Sequence, residues 1–151
     1  MSLDAVKNTK GRILGIDFGE ARTGLAVSDA SRLLASGIGN VPGGGLDRSV
    51  AAIREVVERE KAVAIVLGLP VNMNGTEGPR AERIRQFAAL LQEAMPEVPV
   101  ALVDERMTTM AASRFLNETG TRGKKRKGVI DTLSAEIILQ NALDRLRGSL
   151  L

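Results

Sequence analysis

Three carboxylates stand where their surroundings suit chemistry. Asp17 lies in Leu14-Gly-Ile-Asp-Phe-Gly19, with glycines at 15 and 19. Strand alternation sets Leu14, Ile16 and Phe18 on one face and Gly15, Asp17 and Gly19 on the other. A carboxylate beside residues without side chains has room for an ion or a phosphate, or it caps the Gly19 turn. Asp104-Glu105-Arg106 follows an apolar run, where ligands of open sheets gather; its acids also suit the start of a helix. Asp131 shares a helical face with Ala135 and Ile138, where it either serves a site or caps the helix. Together the three acids can hold two Mg²⁺ or Mn²⁺ ions and activate water for in-line displacement at phosphorus.

The rest of the composition narrows the chemistry. The 151 residues include no cysteine and no histidine. That excludes disulfides, thiolate or Ser-His nucleophiles and imidazole metal sites. Tryptophan and tyrosine are absent and phenylalanine occurs three times, a poor endowment for stacking single strands on aromatic platforms. The net charge is +3, yet the segment Thr121–Gly128 alone holds Arg122, Lys124, Lys125, Arg126 and Lys127 with no acid. Without these five the chain is at −2. This segment reads as a basic loop, either a phosphate contact or simply solvated.

The elements that must position these residues follow from periodicity. Residues 1–11 read as a flexible tail. Arg12–Phe18, Thr23–Ser28 and Leu33–Val41 read as an antiparallel meander. Leu46, Val50, Ile53 and Val57 mark a helix, and the apolar runs Ala62–Leu67 and Val98–Val103 mark strands buried on both faces. Between those strands lie a Gly-, Asn- and Pro-containing loop over 68–78 and a helix presenting Ile84, Phe87, Leu91 and Met95. Thr108 or Thr109 caps a short helix holding Ala111, Ala112, Phe115 and Leu116, and the last helix spans about Val129 to Arg147. The expected fold is one α/β domain over 1–151: a five-stranded mixed sheet of three antiparallel strands, then β-α-β-α units, with helices packed on it. No apolar run is long enough to cross a membrane and the start lacks a signal-peptide core, so a cytoplasmic protein is expected.

Four motifs in order carry a resemblance: Gly15-Ile-Asp-Phe-Gly19 with Arg22, Gly24 and Ala26; Val66-Leu-Gly-Leu-Pro70 with Asn72, Met73, Gly75 and Thr76; Asp104-Glu-Arg106 with Thr108; and Lys127-Gly-Val-Ile-Asp-Thr-Leu-Ser-Ala135. From about Arg12 to Leu143 the sequence resembles the YqgF/RuvX family of pre-16S rRNA nucleases and Holliday junction resolvases. The resemblance implies a ribonuclease H-like fold with Asp17, Glu105 and Asp131 as catalytic, metal-holding acids. It implies nucleic-acid contacts from Arg22, Asn72 and Arg106, beside the basic segment. Asn72, Asn74 and Thr76 are candidates to bond a phosphate or a metal-bound water, or else they shape a turn. Two departures are visible: many ribonuclease H-like nucleases have four acids, with Asp104 and Asp29 the nearest spares here, and Met107 replaces a usual leucine.

The expected function is 5′-end processing of pre-16S rRNA by a metal-dependent endonuclease using Mg²⁺ or Mn²⁺. The alternatives are a resolvase of four-way DNA junctions and a non-catalytic RNA-binding module. A nucleotide phosphotransferase, suggested by Asp-Phe-Gly-Glu-Ala-Arg-Thr, requires two such domains where this length holds one. Without a heptad seam, a monomer or weak homodimer is expected.

Overall fold

The computed structural model describes residues 2–105 and 123–148, with side chains from 132 onward in the second stretch. The elements run α1 (Leu3–Lys7), β1 (Ile13–Asp17), β2 (Arg22–Ser28), β3 (Ala35–Pro42), α2 (Leu46–Glu60), β4 (Ala64–Leu69), α3 (Pro79–Ala94), β5 (Val100–Asp104) and α4 (Gly123–Gly148). The five strands form one sheet in the order β3-β2-β1-β4-β5. β1 pairs antiparallel with β2 and parallel with β4, and β4 pairs parallel with β5. The expected mixed sheet, with its meander and β-α-β-α units, is present.

The two faces of this sheet are built differently. One carries large aliphatics: Leu14, Ile16, Leu25, Ile65 and Leu67 pack against Ile53, Val56 and Val57 of α2 and Ile84, Phe87 and Leu91 of α3. Phe18 stacks on Phe87 with ring centroids 4.4 Å apart. The other face is paved with small residues. Gly15 pairs with Ala26 and Val66, Ala26 with Gly37, and Val66 with Ala101. α4 lies directly on this surface. A β-carbon at Gly15 would sit 2.6 Å from Leu139 Cβ and 3.1 Å from the Ala135 carbonyl; one at Gly37 would sit 2.6 Å from Thr132 Cγ2.

The direction of α4 follows from its contacts. Thr132 meets Gly37 in mid-β3. Gln140 Oε1 accepts from the Ala35 amide at 2.9 Å, and Arg147 Nη1 donates to the Leu33 carbonyl at 3.2 Å. The later residues thus lie over the start of β3. The N-terminal part of α4 runs toward the opposite end of the sheet, where β1 ends at Asp17.

Three expectations change. Residues 1–11, expected as a flexible tail, contain α1, and Val6 is fully buried in the small-residue core. The Arg32 guanidinium holds this segment, donating to the Gly11 and Val6 carbonyls at 2.8 and 3.1 Å and to Thr9 Oγ1 at 2.6 Å. A partner at such sequence distance leaves no local signal. The last helix begins at Gly123, so the backbone of Lys124, Lys125, Arg126 and Lys127 is helical where a loop is expected. That start also places Asp131 well inside the helix, which removes the capping role. The short helix expected after Thr108 lies outside the described residues.

Filling the space at Gly15 tests this packing. Gly15→Ala drives a methyl into Leu139 and the Ala135 carbonyl, so it should lower unfolding free energy by about 1–3 kcal/mol. A urea midpoint equal to wild type would show that α4 does not rest on β1.

Candidate active site

The site forms where β1, β4 and β5 end together. Asp17 is the last residue of β1 and shares its face with Gly15, the face that α4 covers. Glu105 follows β5 directly. Its amide donates to the Leu69 carbonyl at 3.2 Å, which continues the pairing of Leu69 with Asp104 by one residue. Two residues after Val103 of the small-residue core, Glu105 keeps Val103's face. Asp17 and Glu105 therefore flank the same strand, β4, on the same side of the sheet.

What lies between them is Gly68. A β-carbon there would stand 2.6 Å from Glu105 Oε2 and 2.5 Å from Ile138 Cδ1. The missing side chain makes room on β4 for the glutamate and for α4. Glu105 is buried, only 7% exposed, and burial raises its carboxyl above the ordinary range. The positive charge of Arg80 opposes that rise, and the adjacent Asp104 charge adds to it.

Arg80, in the first turn of α3, is the site cation that sequence reading missed. Its Nη2 lies 3.9 Å from Asp17 Oδ1 and donates to the Phe18 carbonyl at 3.3 Å, while the side chain stays 63% exposed. A signal was present, since Pro79-Arg80 opens a helix after a loop at the strand ends. Arg83, one turn on, braces the surroundings. It pairs with Glu20 at 2.7 Å and donates to the Gly44 carbonyl at 3.2 Å.

The remaining candidates separate. Asp131 occupies α4 one turn before Ala135 and two before Ile138, in the helical part that runs toward Asp17; its side chain lies outside the described ones. So do the side chains of Lys124, Lys125, Arg126 and Lys127, and residues Arg106 and Arg122 altogether. Arg22 opens β2, half-buried, at the Asp17 end of the sheet. Asn72 directs its amide Nδ2 to Thr76 Oγ1 at 2.9 Å, and Asn74 Oδ1 accepts from the Thr76 amide at 3.0 Å, so both help to shape their own loop. Asp104 ends β5 beside Glu105. Asp29 sits at the far end of the sheet, where its carboxylate accepts from the Leu33 and Leu34 amides at 2.8 and 3.1 Å; hydrogen bonds from Ser31 and then Leu34 hold it below the ordinary range. It is a turn residue, which leaves Asp104 as the one spare acid near the site among the described residues. No group of three or more potential ligands is assembled among the described residues; Asp17 and Glu105 stand on one face of the sheet with β4 between them.

A five-stranded mixed sheet in this order, with acids at the ends of β1 and β5 either side of β4, is a ribonuclease H-like fold. Among solved structures it is similar to Thermus thermophilus RuvC, both alone and in complex with a Holliday junction substrate. The complex aligns with a TM-score of 0.57 at 20% identity, covering 92% of this chain and 97% of that one. RuvC alone gives 0.54 at 18% identity, covering 91% and 96%. The chain belongs to the RuvX family, described as Holliday junction resolvase, which matches residues 11–145. Relatives named "Putative pre-16S rRNA nuclease" are 40% identical over 139 residues in Ruminiclostridium cellulolyticum, covering 91% of this chain and 97% of the relative, and 43% identical over 140 residues in Caldanaerobacter subterraneus, covering 91% and 99%.

The buried glutamate gives a pH-dependent signature. With its folded pKa above the ordinary 4.5, the folded state binds more protons than the unfolded state as pH rises past that value. Stability is therefore lost over that window and the cost persists at neutral pH. Glu105→Gln should stabilise the fold at pH 7, and the gain should vanish below about pH 4, where both states are protonated. Urea unfolding at the two pH values checks this; a gain equal at both would contradict the burial of charge at Glu105.

Proposed function

We propose that this protein is a metal-dependent nuclease that trims the 5′ end of precursor 16S rRNA. The observation that carries the reading is the placement of Asp17 and Glu105 on one face of the sheet, either side of β4 at Gly68. The donors are carboxylate oxygens, with no thiol or imidazole in the chain, and this set fits a hard divalent cation, Mg²⁺ or Mn²⁺. Asp17 and Glu105 would hold it, with Asp131 as third acid from α4. When bound, a divalent pair activates water and stabilises the charge developing on phosphate oxygens.

The chain's own groups do the rest. Arg80, exposed at the rim beside Asp17, meets a non-bridging oxygen of the incoming phosphate. Burial of Glu105 keeps bulk water from one wall of the site. Lys124, Lys125, Arg126 and Lys127 at the start of α4, with Arg22, Arg106 and Arg122, bind the nucleic-acid backbone and set its position without reading sequence. The names borne by relatives of about 40% identity support rRNA as substrate. The family description supports a DNA junction as the second reading, and paired cuts on a junction require a symmetric dimer.

Cleavage of precursor 16S rRNA, single-stranded RNA and a four-way DNA junction, side by side with Mg²⁺ and Mn²⁺, decides between them. Asp17→Asn should reduce cleavage by about 10³-fold or more while the protein still folds. Combined with Glu105→Gln, the loss should fall far short of the product of the single effects, because the acids act as one unit. Wild-type cutting by Asp17→Asn would overturn the site. Symmetric paired cuts on the junction, with precursor rRNA left intact, would move the substrate to DNA. Serine at Lys124, Lys125, Arg126 and Lys127 should flatten the plot of log affinity against log salt by about 0.7–0.9 for each lost contact; an unchanged slope would remove this segment from the interface.

A further inference from the structure

The loop that follows β4 carries a feature the hydrolytic site does not use. Among the described residues the exposed large hydrophobics are Leu33, Leu34 and Met73. The two leucines lie in the β2–β3 turn, at the far end of the sheet from Asp17. Met73 lies at the same end as the acids and is the most exposed of the three, at 73%. It sits four residues beyond Leu69, whose carbonyl accepts the Glu105 amide. It therefore stands at most about 14 Å along the chain from that bond.

The loop is built to hold this side chain out. The Asn72 amide donates to the Thr76 carbonyl and the Gly75 amide to the Asn72 carbonyl, both at 2.8 Å. Gly75 supplies the positive φ of 88° that the turn requires. Asn72 Nδ2 and Asn74 Oδ1 bond Thr76 from both sides. Val71 packs on the aliphatic core at one foot of the loop. At the other foot Arg85 forms a two-pronged bond to Glu77 at 2.7 and 2.8 Å. An apolar side chain at the tip of such a braced turn loses little backbone entropy when it makes contact.

We propose that Met73 is a wedge that contacts an unstacked base of the nucleic acid and holds the strand splayed beside Asp17 and Glu105. Apolar side chains, methionine among them, are the groups that part base steps, and a flexible thioether contacts the face or edge of a ring well. The aromatic alternatives are few. Tryptophan and tyrosine are absent, and the phenylalanines among the described residues, Phe18 and Phe87, are spent on each other in the core; Phe115 lies outside the described residues. Met73 thus supplies, at the acids' end of the sheet, the base contact that aromatic residues make elsewhere. The inference rests on the nuclease reading, and it adds a contact to a base where the other proposed contacts reach the backbone.

The test uses the full chain without divalent metal, so that the RNA stays intact. The probe is a hairpin RNA with a single-stranded 5′ extension, carrying 2-aminopurine at each extension position in turn. Wild type should bind and raise fluorescence severalfold at one or two positions. Met73→Ser should lose that rise and bind about tenfold more weakly, as on removal of one base-stacking contact. Met73→Leu should retain both. Because the side chain is exposed and the turn is closed by other groups, all three should unfold at the same temperature. Wild-type RNA binding with Met73→Ser giving the same rise and affinity would overturn the wedge alone and point to a protein partner for Met73. Wild-type binding without any fluorescence rise would also overturn it. A wild-type protein that binds no RNA would overturn the nuclease reading and the wedge with it.

Discussion

The close approach of α4 to the sheet is the constraint on which the rest depends. A helix carrying Leu139 and Ile138 can reach the backbone of β1 and β4 only where the strands present no side chains, and Gly15, Gly37 and Gly68 meet that need. The aliphatic face tolerates volume exchange among Leu, Ile and Val because side chains interdigitate there. The glycine face has no such slack. This asymmetry leaves room for function. α4 settles low over β1 and β4, its N-terminal part is directed to the strand ends, and Gly68 leaves space for the Glu105 carboxylate beside Ile138.

Charge at the ends of β1, β4 and β5 is arranged with a gradient of exposure. Glu105 is buried and raised above the ordinary carboxylate range, mainly by desolvation. Arg80 stands at the rim, mostly exposed, where it attracts Asp17 at 3.9 Å without locking it, as expected for a loose exposed pair. Such a cation can shift from the acids to an incoming phosphate at small cost. A divalent ion bound between the acids would favour the ionised form of Glu105, so metal binding would weaken at acid pH. The basic residues at the start of α4 would supply longer-range attraction for a polyanion to an otherwise slightly acidic chain.

Much of this was legible in the residues, and the misses share a cause. Alternation in Leu14–Gly19 separates the aliphatic face from the face of Asp17, and the structure keeps that division. The apolar runs at 62–67 and 98–103 read as doubly buried strands because helices do cover both faces. The acids at 17 and 105 were recognisable because a carboxylate amid glycines, or at the end of a buried strand, is costly without a use. Arg32 and α1 were not legible, since the bonds that order residues 3–9 come from a side chain more than twenty positions away. Arg80 was hidden among the several arginines of α3, and only the sheet's topology shows which of them reaches Asp17. Helix α4 begins earlier than its apolar stripe, because lysine and arginine are good helix formers while periodicity registers only buried positions. The glycines at 15 and 19 read as space for a ligand. Gly15 is space for α4, and a side chain at Gly19 would meet the Arg22 carbonyl, distinctions that require the third dimension.

The central claim is that Asp17 and Glu105 hold a divalent cation, with Gly68 giving the Glu105 carboxylate the space it needs between them. Isothermal titration of Mn²⁺ into Gly68→Ala and wild type at pH 7 tests it most directly. The added methyl meets only the ends of the Glu105 and Ile138 side chains, so the variant should still fold, which circular dichroism verifies. The account predicts that Mn²⁺ binding weakens at least about tenfold, as when groups that support a metal site are disturbed. A folded Gly68→Ala protein that binds Mn²⁺ as wild type does would contradict it.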